Sequence, residues 1–498
     1  MPNLVLVIPG CLSTSHSSVE SRGPRSGTSA EVVCTAEQFD LVVIGGGPGG
    51  YAAALYASAA GLNCAVVERD KVGGTCLHRG CIPAKEFLET AHVFRTVSES
   101  AKFGVNAGAP RLDFGVSQAR KQQVVDQLWK GLQGLMKRRK ITTIAGTGTL
   151  LPGNLVQISD GSQIRGANVI LAAGSVPRTI PGFEPDGRLV FTSDEFLDLT
   201  VMPESAVVIG GGAIGCEFAS TMSDLGTKVT LLEAMPKMLP GCDKDVVDVV
   251  ARSFKRRGID VRLGVPVSGH TPTADGTQTT VHFGEGESIT VDMVVVSVGR
   301  RARIEDLLAE GTGVQVTDRG FVQVDPYMRT TAHNVYAVGD VVPTPALAHI
   351  GYAEAILAVK TILGESAIPI AYDRVPWCIY CHPEVSFAGM SEEQAIAAGY
   401  EVKVEKHKFT GNGRAMIVGE TEGLVKIIAA TTPDGRAGQI LGVHMVGPWV
   451  TEQLGQAYLA VNWEASVDEV AQFIQPHPSL SETFGEAMLA LTGRGLNG

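Results

Sequence analysis

The chain has 498 residues, of which 44% are hydrophobic, and its formal net charge at pH 7 is −11. This length predicts three or four domains, and the hydrophobic content is enough to fill several cores. The negative charge argues against partners such as nucleic acid or an anionic membrane, and no apolar run approaches the roughly 18 residues of a membrane span.

The first 36 residues are rich in serine and glycine, and we predict a disordered extension or translation from a start site upstream of the natural one. An apolar stretch, Leu4–Ile8, resembles part of a signal sequence, but no lysine or arginine precedes it. The nine cysteines are too few and too scattered for a secreted disulfide scaffold. A reducing, cytoplasmic location is therefore expected.

The folded chain opens with a dinucleotide-binding pattern. An apolar run of strand length, Phe39–Ile44, leads into a G-x-G-x-x-G turn and then an alanine-rich segment of helical character. The three glycines are Gly45, Gly47 and Gly50. A second strand is predicted at Cys64–Val67, and Glu68 at its end is placed to hold a ribose hydroxyl. A glycine-rich turn without a ligand is the alternative, but strand, helix and acid together favour dinucleotide binding.

Two cysteines, Cys76 and Cys81, follow this pattern closely within the segment Gly73–Lys85. The four residues between them are too many for a thioredoxin-type C-x-x-C motif, and nothing nearby supplies the second ligand pair of a structural zinc site. We therefore favour a redox-active disulfide beside a flavin over inert structural cysteines, and predict no metal site.

The dinucleotide-binding pattern then recurs. The predicted strand Ser205–Ile209 leads into a second set of glycines, and the following strand, Lys228–Leu232, ends at Glu233. The glycines of this turn are Gly210, Gly212 and Gly215. The recurrence predicts two nucleotide-binding folds that hold two different dinucleotides. An acid at position 233 favours NAD over NADP, because a 2′-phosphate needs a cation there; Lys237, four residues later, is expected to be solvated.

Two local patterns suggest other functions and are discounted. The basic run Lys137–Lys140 follows leucines and valines at helical spacing, so it is expected to form a cationic helix C-terminus and not a nucleic-acid patch. The segment Cys378–His382 fits the C-x-x-C-H pattern of haem attachment, but it lies in an apolar run with strand character.

From these motifs the chain resembles a dihydrolipoamide dehydrogenase, in the class of FAD- and pyridine-nucleotide-dependent disulfide oxidoreductases. The resemblance covers about residues 38–493. Besides the glycine turns and the cysteine segment, it is carried by Ile170–Ser175, Ser297–Arg300, Val335–Asp340, Leu347–His349, Gly442–Gly447 and Gln475–Glu482.

The resemblance implies FAD and NAD as cofactors and assigns further residues to them. Asp340 matches the position that binds the ribityl chain of the flavin, and His349 ends the stretch that lies along its ring. Lys85 and Glu217 match an ion pair close to the flavin. Gly174 and Gly299 belong to the motifs Ile170–Ser175 and Ser297–Arg300 and are expected to bind the cofactors. Taken singly, Asp340 is an ordinary turn residue or helix cap, Lys85 a helix lysine and Glu217 a first-turn acid.

The resemblance also implies a thiol relay. His477, from the second subunit of a homodimer, deprotonates the substrate thiol, whose thiolate attacks Cys76 and releases Cys81 next to the flavin. Glu482 matches the partner of that histidine, which fixes the imidazole tautomer. Alone, His477 is a surface loop histidine, and Ser479 with Glu482 fits a capping box for the last helix.

We predict an α/β fold with two Rossmann-like dinucleotide-binding domains, for FAD and NAD, plus a C-terminal α+β dimerisation domain. The FAD-binding domain occupies residues 37–185, the NAD-binding domain 186–300, a second FAD-binding or central part 301–370, and the dimer-interface domain 371–498. The expected partner is a lipoylated acyltransferase or the glycine cleavage H protein, at an active site shared between subunits.

Several positions differ from the residues that the family commonly has in its motifs. Gln475 stands where the family commonly has a histidine, and His78 and Ala84 replace residues of the cysteine segment. The alternatives are another flavin disulfide reductase, such as a glutathione or mercuric reductase, and a catalytically silent flavoprotein subunit of a 2-oxoacid dehydrogenase complex. Glu233 disfavours the NADPH-dependent reductases, and the intact cysteines and histidine disfavour silence.

Overall fold

The computed structural model describes residues 36–496. The extension predicted over residues 1–36 therefore falls, except for Ala36, outside the described residues. The strands are β1 Glu37–Ile44, β2 Cys64–Glu68, β3 Thr142–Ala145, β4 Gly148–Leu151, β5 Leu155–Ile158, β6 Gln163–Leu171, β7 Ser175–Pro177, β8 Val190–Phe191, β9 Ser205–Ile209, β10 Lys228–Glu233, β11 Asp260–Leu263, β12 Val267–Pro272, β13 Thr279–Phe283, β14 Glu287–Val291, β15 Met293–Val296, β16 Arg300–Ala302, β17 Val335–Ala337, β18 Trp377–Ile379, β19 Glu384–Gly389, β20 Val402–Lys408, β21 Leu424–Thr431 and β22 Ala437–Gly447.

The helices are α1 Pro48–Ala59, α2 Gly74–Arg79, α3 Cys81–Ser98, α4 Phe114–Arg138, α5 Ser193–Phe196, α6 Ala213–Asp224, α7 Lys244–Arg256, α8 Ala348–Leu363, α9 Glu392–Ala397, α10 Gly413–Val418, α11 Val450–Asn462, α12 Val467–Val470 and α13 Glu482–Leu491. Short 3-10 turns span Ser100–Phe103, Gly339–Val341, Tyr372–Arg374 and Phe409–Gly411.

Two parallel sheets carry the two glycine turns. In the first, β3, β2, β1 and β6 are parallel neighbours, β17 pairs with β6, and β5 and β4 continue the sheet in antiparallel pairing. The second has the order β11-β10-β9-β15-β8, with every pair parallel. The strands next to each turn are buried on both faces, as expected for parallel sheets covered by helices. The predicted duplication of a Rossmann-like unit is confirmed.

A five-stranded antiparallel sheet, in the order β18-β19-β22-β21-β20, forms the C-terminal part of the molecule. The helices α11, α12 and α13 pack on it through buried apolar side chains such as Leu454, Val467 and Phe484. This is the α+β arrangement that the sequence predicts. Strand β18 contains Cys378, which confirms the strand expected at the C-x-x-C-H pattern.

A buried lysine joins this antiparallel sheet to helix α7, which follows β10 of the second parallel sheet. Lys426 on β21 donates to Asp243 at 2.8 Å and to Asp245 and Glu392 at 2.6 Å each. The side chains of Lys426 and Asp243 are both 2% exposed. Burial alone lowers the pKa of the lysine, but the three carboxylates outweigh it and raise the pKa above its usual value. The ammonium therefore stays charged and holds α7 and α9 against the sheet.

We predict that Lys426→Met destabilises the FAD-loaded protein by about 3–5 kcal/mol, because it leaves the buried Asp243 carboxylate without its cation. Lys244→Met is the matched control, since Lys244 pairs with Asp248 on the exposed surface and its loss is expected to leave the free energy of unfolding nearly unchanged. Urea unfolding followed by circular dichroism compares the two. Equal effects of the two substitutions would contradict the interpretation.

Candidate active site

The first glycine turn brings backbone atoms closer together than any side chain allows. Gly45 has a φ of +104°, and a Cβ there would lie 2.3 Å from the carbonyl oxygen of Ala172 at the end of β6. A Cβ on Gly50 would lie 1.8 Å from the carbonyl oxygen of Gly45. A Cβ on Gly47 would find only the Cα of Gly74, at 3.9 Å. The first and third glycines thus let β1 and α1 pack, and the second leaves open space at the helix N-terminus.

The second turn repeats this geometry. Gly210 has a φ of +111°, and a Cβ there would lie 2.5 Å from the carbonyl oxygen of Ser297. A Cβ on Gly215 would lie 1.9 Å from the carbonyl oxygen of Gly210, whereas one on Gly212 would meet nothing within 4 Å. Each turn therefore has an open cradle of backbone at the start of a 12-residue helix, where the helix dipole favours an anion. Both cradles fit the pyrophosphate of a dinucleotide.

The acids at the strand ends hold the glycine turns from the other side. Glu68 accepts from the backbone N–H of Gly46, and Glu233 from that of Gly211, each at 2.6 Å. The second oxygen of each carboxylate accepts from the N–H two residues further along the chain. Each oxygen has further lone pairs, so these contacts leave acceptors for a ribose hydroxyl. Lys237 pairs instead with Glu393, at 2.9 Å, on the surface.

A disulfide joins Cys76 to Cys81, whose Cα atoms lie 4.6 Å apart. Cys76 lies on α2, and Cys81 is the first residue of α3. A helix N-terminus stabilises a thiolate, so Cys81 is placed to carry negative charge once the disulfide opens. The disulfide predicted from the sequence is formed.

An ion pair lies one helical turn after the disulfide. Lys85 Nζ donates to both carboxylate oxygens of Glu217 at 2.9 Å. The Glu217 side chain is 6% exposed, and the Lys85 side chain is 33% exposed. Glu217 also accepts from the backbone N–H of Tyr380, at 2.9 Å. The pair thus connects the cysteine-bearing helix, the helix of the second glycine turn and the segment after β18.

Asp340 belongs to a hydrogen-bonded network with Ser175 and Arg300, which forms another wall of the site. Arg300 Nε donates to the hydroxyl of Ser175 at 2.7 Å, and that hydroxyl donates to Asp340. Arg300 Nε also lies 3.9 Å from a carboxylate oxygen of Asp340. Asp340 lies in a 3-10 turn, which agrees with the turn role considered for it, and its carboxylate still faces the central cavity. The sequence motifs that contain Ser175, Arg300 and Asp340 therefore meet in one hydrogen-bonded network.

Sequence reasoning missed Glu354, which supports the same turn. Its carboxylate is fully buried and accepts from the N–H of Gly339 at 2.6 Å and from the hydroxyl of Tyr372 at 2.9 Å. Burial raises the pKa of this carboxyl. The available signal was a single acid within the otherwise mostly apolar helix α8, which is unusual for a buried position.

One cavity of about 1030 Å³ connects these features. Most of the predicted site residues line it, and they come from both glycine turns, the disulfide, the ion pair and the wall that contains Asp340. They are Gly45, Gly47, Glu68, Cys76, Cys81, Lys85, Gly174, Gly210, Gly212, Glu217, Glu233, Gly299 and Asp340. Gly50 and Gly215 lie behind the cavity and act through helix packing. His349 is exposed and its Nε2 lies 2.8 Å from the carbonyl oxygen of Pro376, so its contact with a cofactor stays a prediction.

His477 and Glu482 lie outside this cavity. His477 Nδ1 lies 2.7 Å from a carboxylate oxygen of Glu482, and the His477 side chain is 79% exposed. The other oxygen of Glu482 accepts from the N–H of Ser479 at 2.7 Å. Burial favours a raised pKa for Glu482, but the hydrogen bonds from Ser479 and His477 outweigh it and lower the pKa. The last helix begins at Glu482 with Ser481 as its N-cap and without a side-chain capping hydrogen bond, so the capping box expected for Ser479 and Glu482 is not formed. Only the backward hydrogen bond from the Ser479 N–H is made, and the same carboxylate holds His477.

The side chains of the C-x-x-C-H pattern are held in their neutral forms by burial. Cys378 packs in the antiparallel sheet and burial raises its pKa to about 12. Burial lowers the pKa of His382 to about 2, with nearby arginines acting in the same direction.

None of the helices in the described part of the chain combines the length and the apolar character that a membrane span needs.

Comparisons with known proteins show the family. The family model for pyridine nucleotide-disulphide oxidoreductases matches residues 39–355, and the model for the dimerisation domain of that family matches residues 375–488. The chain therefore belongs to the pyridine nucleotide-disulphide oxidoreductases, and it is a flavoprotein enzyme that uses FAD and NAD(H) and forms a homodimer.

Its relatives narrow the assignment within that class. The chain is 40% identical to a dihydrolipoyl dehydrogenase of Bacillus subtilis over 477 residues, which cover 93% of this chain and 100% of the relative. It is 38% identical to the dihydrolipoyl dehydrogenase of Chlorobaculum tepidum, over 91% of this chain and 97% of that one. By this similarity the chain is a member of the dihydrolipoyl dehydrogenases.

Solved structures show the same fold. The crystal structure of LpdA from Mycobacterium tuberculosis superposes with a TM-score of 0.83 at 25% identity, over 92% of this chain and 100% of that chain. The HOCl-induced flavoprotein disulfide reductase RclA of Escherichia coli gives a TM-score of 0.81 at 27% identity, over 90% and 99% of the two chains. The fold class and the cofactors predicted from the sequence are confirmed.

We predict that Gly215→Ala and Gly212→Ala have different effects. A Cβ at 215 collides with the backbone of the first glycine, so this substitution is expected to destabilise the protein by about 2 kcal/mol or more. A Cβ at 212 collides with nothing in the protein, but it occupies the space where a pyrophosphate approaches, so NADH binding is expected to weaken with little change in stability. Thermal unfolding and NADH titration of the FAD-loaded variants measure the two quantities. Unchanged NADH affinity in Gly212→Ala would contradict the assignment of this turn to NAD.

Proposed function

We propose that this enzyme oxidises a protein-bound dihydrolipoyl group and reduces NAD⁺ through the Cys76–Cys81 disulfide. The observation that carries the proposal is the position of the disulfide in the cavity shared by the two glycine turns, one helical turn from the Lys85–Glu217 pair. FAD supplies a two-electron carrier between the dithiol and NAD⁺. The names of the curated relatives support the choice of substrate.

The cysteine pair accepts two electrons in two exchange steps. A substrate thiolate attacks the sulfur of Cys76, which breaks the disulfide, forms a mixed disulfide and releases Cys81 as a thiolate. The second substrate thiol loses its proton and attacks the substrate sulfur of the mixed disulfide, which frees Cys76. The products are a cyclic lipoyl disulfide and a reduced cysteine pair. The two electrons that leave the substrate are then held by Cys76 and Cys81.

We assign proton acceptance to His477, with Glu482 as its positioning residue. The carboxylate on Nδ1 leaves Nε2 as the acceptor and stabilises the imidazolium that forms. Because His477 is exposed and lies outside the cavity of its own chain, we assign it to the disulfide of the partner subunit. The dimerisation domain of the family supports this arrangement.

The proposal also covers the protein partner, the cellular location, the domain bounds and the choice between NADH and NADPH. We propose a lipoylated acyltransferase or the glycine cleavage H protein as the partner, because both present the same dithiol. We propose a cytoplasmic location and retain the partition into residues 37–185, 186–300, 301–370 and 371–498, which the separate sheets support. Preference for NADH over NADPH is supported by the Glu233 carboxylate, which repels a 2′-phosphate.

Anaerobic titration tests the reaction itself. Dihydrolipoamide is expected to reduce the FAD-loaded enzyme and to produce the long-wavelength absorbance of a thiolate beside oxidised flavin, and added NAD⁺ is expected to yield NADH. Reduction by NADH but not by dihydrolipoamide would leave the cofactors in place and overturn the substrate assignment in favour of another disulfide.

Hybrid dimers test the sharing of the active site. We predict that Cys76→Ser and His477→Asn homodimers are each inactive, whereas a purified dimer with one subunit of each type regains about half of the wild-type activity. In that dimer the intact disulfide of one subunit faces the intact histidine of the other. A histidine that serves its own chain predicts no recovery, because every site then lacks one group.

The role of Glu482 is tested by Glu482→Gln. An amide accepts from the imidazole but does not stabilise its cation, so we predict a fall in kcat of about 10-fold or more and a shift of the kcat profile to lower pH. A Ser479→Ala variant is the control, since it keeps the backbone N–H bound to Glu482. A normal pH profile in Glu482→Gln would limit Glu482 to the helix start.

A further inference from the structure

Tyr380 contacts both members of the Lys85–Glu217 pair from the antiparallel sheet. It directly follows strand β18, and its backbone N–H donates to Glu217 at 2.9 Å. The Lys85 ammonium lies 4.9 Å from the centre of the Tyr380 ring. A cation above an aromatic face at this distance is attracted by the ring quadrupole. One residue therefore binds the anion through its backbone and the cation through its ring.

These contacts define the position of a flexible side chain. Lysine has a four-carbon stem, and the Lys85 side chain is 33% exposed to the cavity. The Glu217 carboxylate fixes the ammonium from α6, and the Tyr380 ring fixes it from the sheet. Without the ring, the same carboxylate can be reached by several lysine rotamers, each of which places the charge differently in the cavity.

The position of the ammonium matters for Cys81. Lys85 lies four residues after Cys81 on α3, so the two side chains share one face of the helix. A nearby cation favours the thiolate over the thiol. The charge that Cys81 carries when the disulfide opens is thus stabilised both by the N-terminus of α3 and by Lys85.

We propose that Tyr380 is a positioning residue for the redox reaction, which holds the Lys85 ammonium where it stabilises the Cys81 thiolate. This role rests on the proposed function, since it requires that the Cys76–Cys81 disulfide opens during turnover. It also gives the dimerisation domain a direct link to the redox centre, because Tyr380 belongs to that domain.

Several titratable groups surround Tyr380 and Lys85 and must stay constant in a test. They are His78 and Arg79 on α2, Asp194 on α5, Glu217 on α6, Cys378 on β18, Glu384 on β19 and Glu452 on α11. Substitution of Tyr380 alone retains all of these groups. It also retains the backbone N–H that binds Glu217, so the ring is the only group removed.

The test compares Tyr380→Leu with Tyr380→Phe. FAD-loaded protein is reduced anaerobically with one two-electron equivalent of dithionite, and the long-wavelength absorbance of the Cys81 thiolate beside flavin is measured as a function of pH. In Tyr380→Leu the apparent pKa of Cys81 is expected to rise by about 0.5–1 unit, since the cation–π contact is lost. Tyr380→Phe keeps the ring face, and its apparent pKa is expected to stay within about 0.2 unit of the wild-type value.

Two results overturn the proposal: a Tyr380→Leu pKa equal to that of the wild type, or a Tyr380→Phe shift as large as that of Tyr380→Leu. FAD content and dimer state confirm that the variants fold, and Tyr380→Met replaces Tyr380→Leu if the latter loses FAD. Because dithionite replaces the substrate, a wild type that shows the absorbance but fails with dihydrolipoamide overturns only the substrate assignment. A wild type without the absorbance overturns the thiolate role on which Tyr380 acts.

Discussion

The architecture depends on one steric constraint, which is the contact of backbone with backbone at two glycine turns. At Gly50 and Gly215 even a single methyl group would lie within 2 Å of a carbonyl oxygen of the same turn. Each helix can therefore start directly at the end of its strand, with its N-terminus pointed into the cavity. Because the two turns repeat this geometry, the two dinucleotide cradles open into one space. Electron transfer between two cofactors requires such a shared space, and the disulfide has a place beside it.

Charge pairs then hold the separate sheets in register around this space. Glu217 joins α3, α6 and the residue after β18, and Lys426 joins β21 to α7 and α9. In the first centre the buried charge is the Glu217 carboxylate, and in the second it is the Lys426 ammonium. A buried charge is costly without its partner, so each centre favours one relative arrangement of its elements. The geometry of the cavity is thereby fixed by electrostatics as well as by apolar packing.

Local patterns in the sequence predict the parts of this structure that are local. Strand β1 begins two residues before the predicted Phe39 and ends at the predicted Ile44, and β9 has the predicted bounds. The glycine spacing, the acids at 68 and 233 and the cysteine pair all lie within short segments whose geometry the segment itself determines. The contact of Tyr380 with Glu217 joins residues 163 positions apart, and that of Lys426 with Asp243 joins residues 183 apart. No periodicity or spacing encodes such contacts, since they depend on how complete sheets pack. The contact of His477 with Glu482 was anticipated because the two residues are neighbours in sequence, whereas the expected capping box fails because the helix begins three residues after Ser479.

The division of labour that we propose between the subunits is consistent with the same geometry. Within one chain the cysteine pair, the ion pair and both cradles face one cavity, whereas His477 is exposed and lies outside that cavity. Electron transfer requires the disulfide to stay close to the cofactor sites. The cysteine pair and the two glycine turns are accordingly parts of one chain. A proton acceptor needs only to meet the substrate where it enters the cavity, and in the dimer that we propose an exposed side chain held by one carboxylate can do so. Under this proposal the catalytic groups are complete only in the dimer, because the disulfide of one subunit and His477 of the other then meet the same substrate.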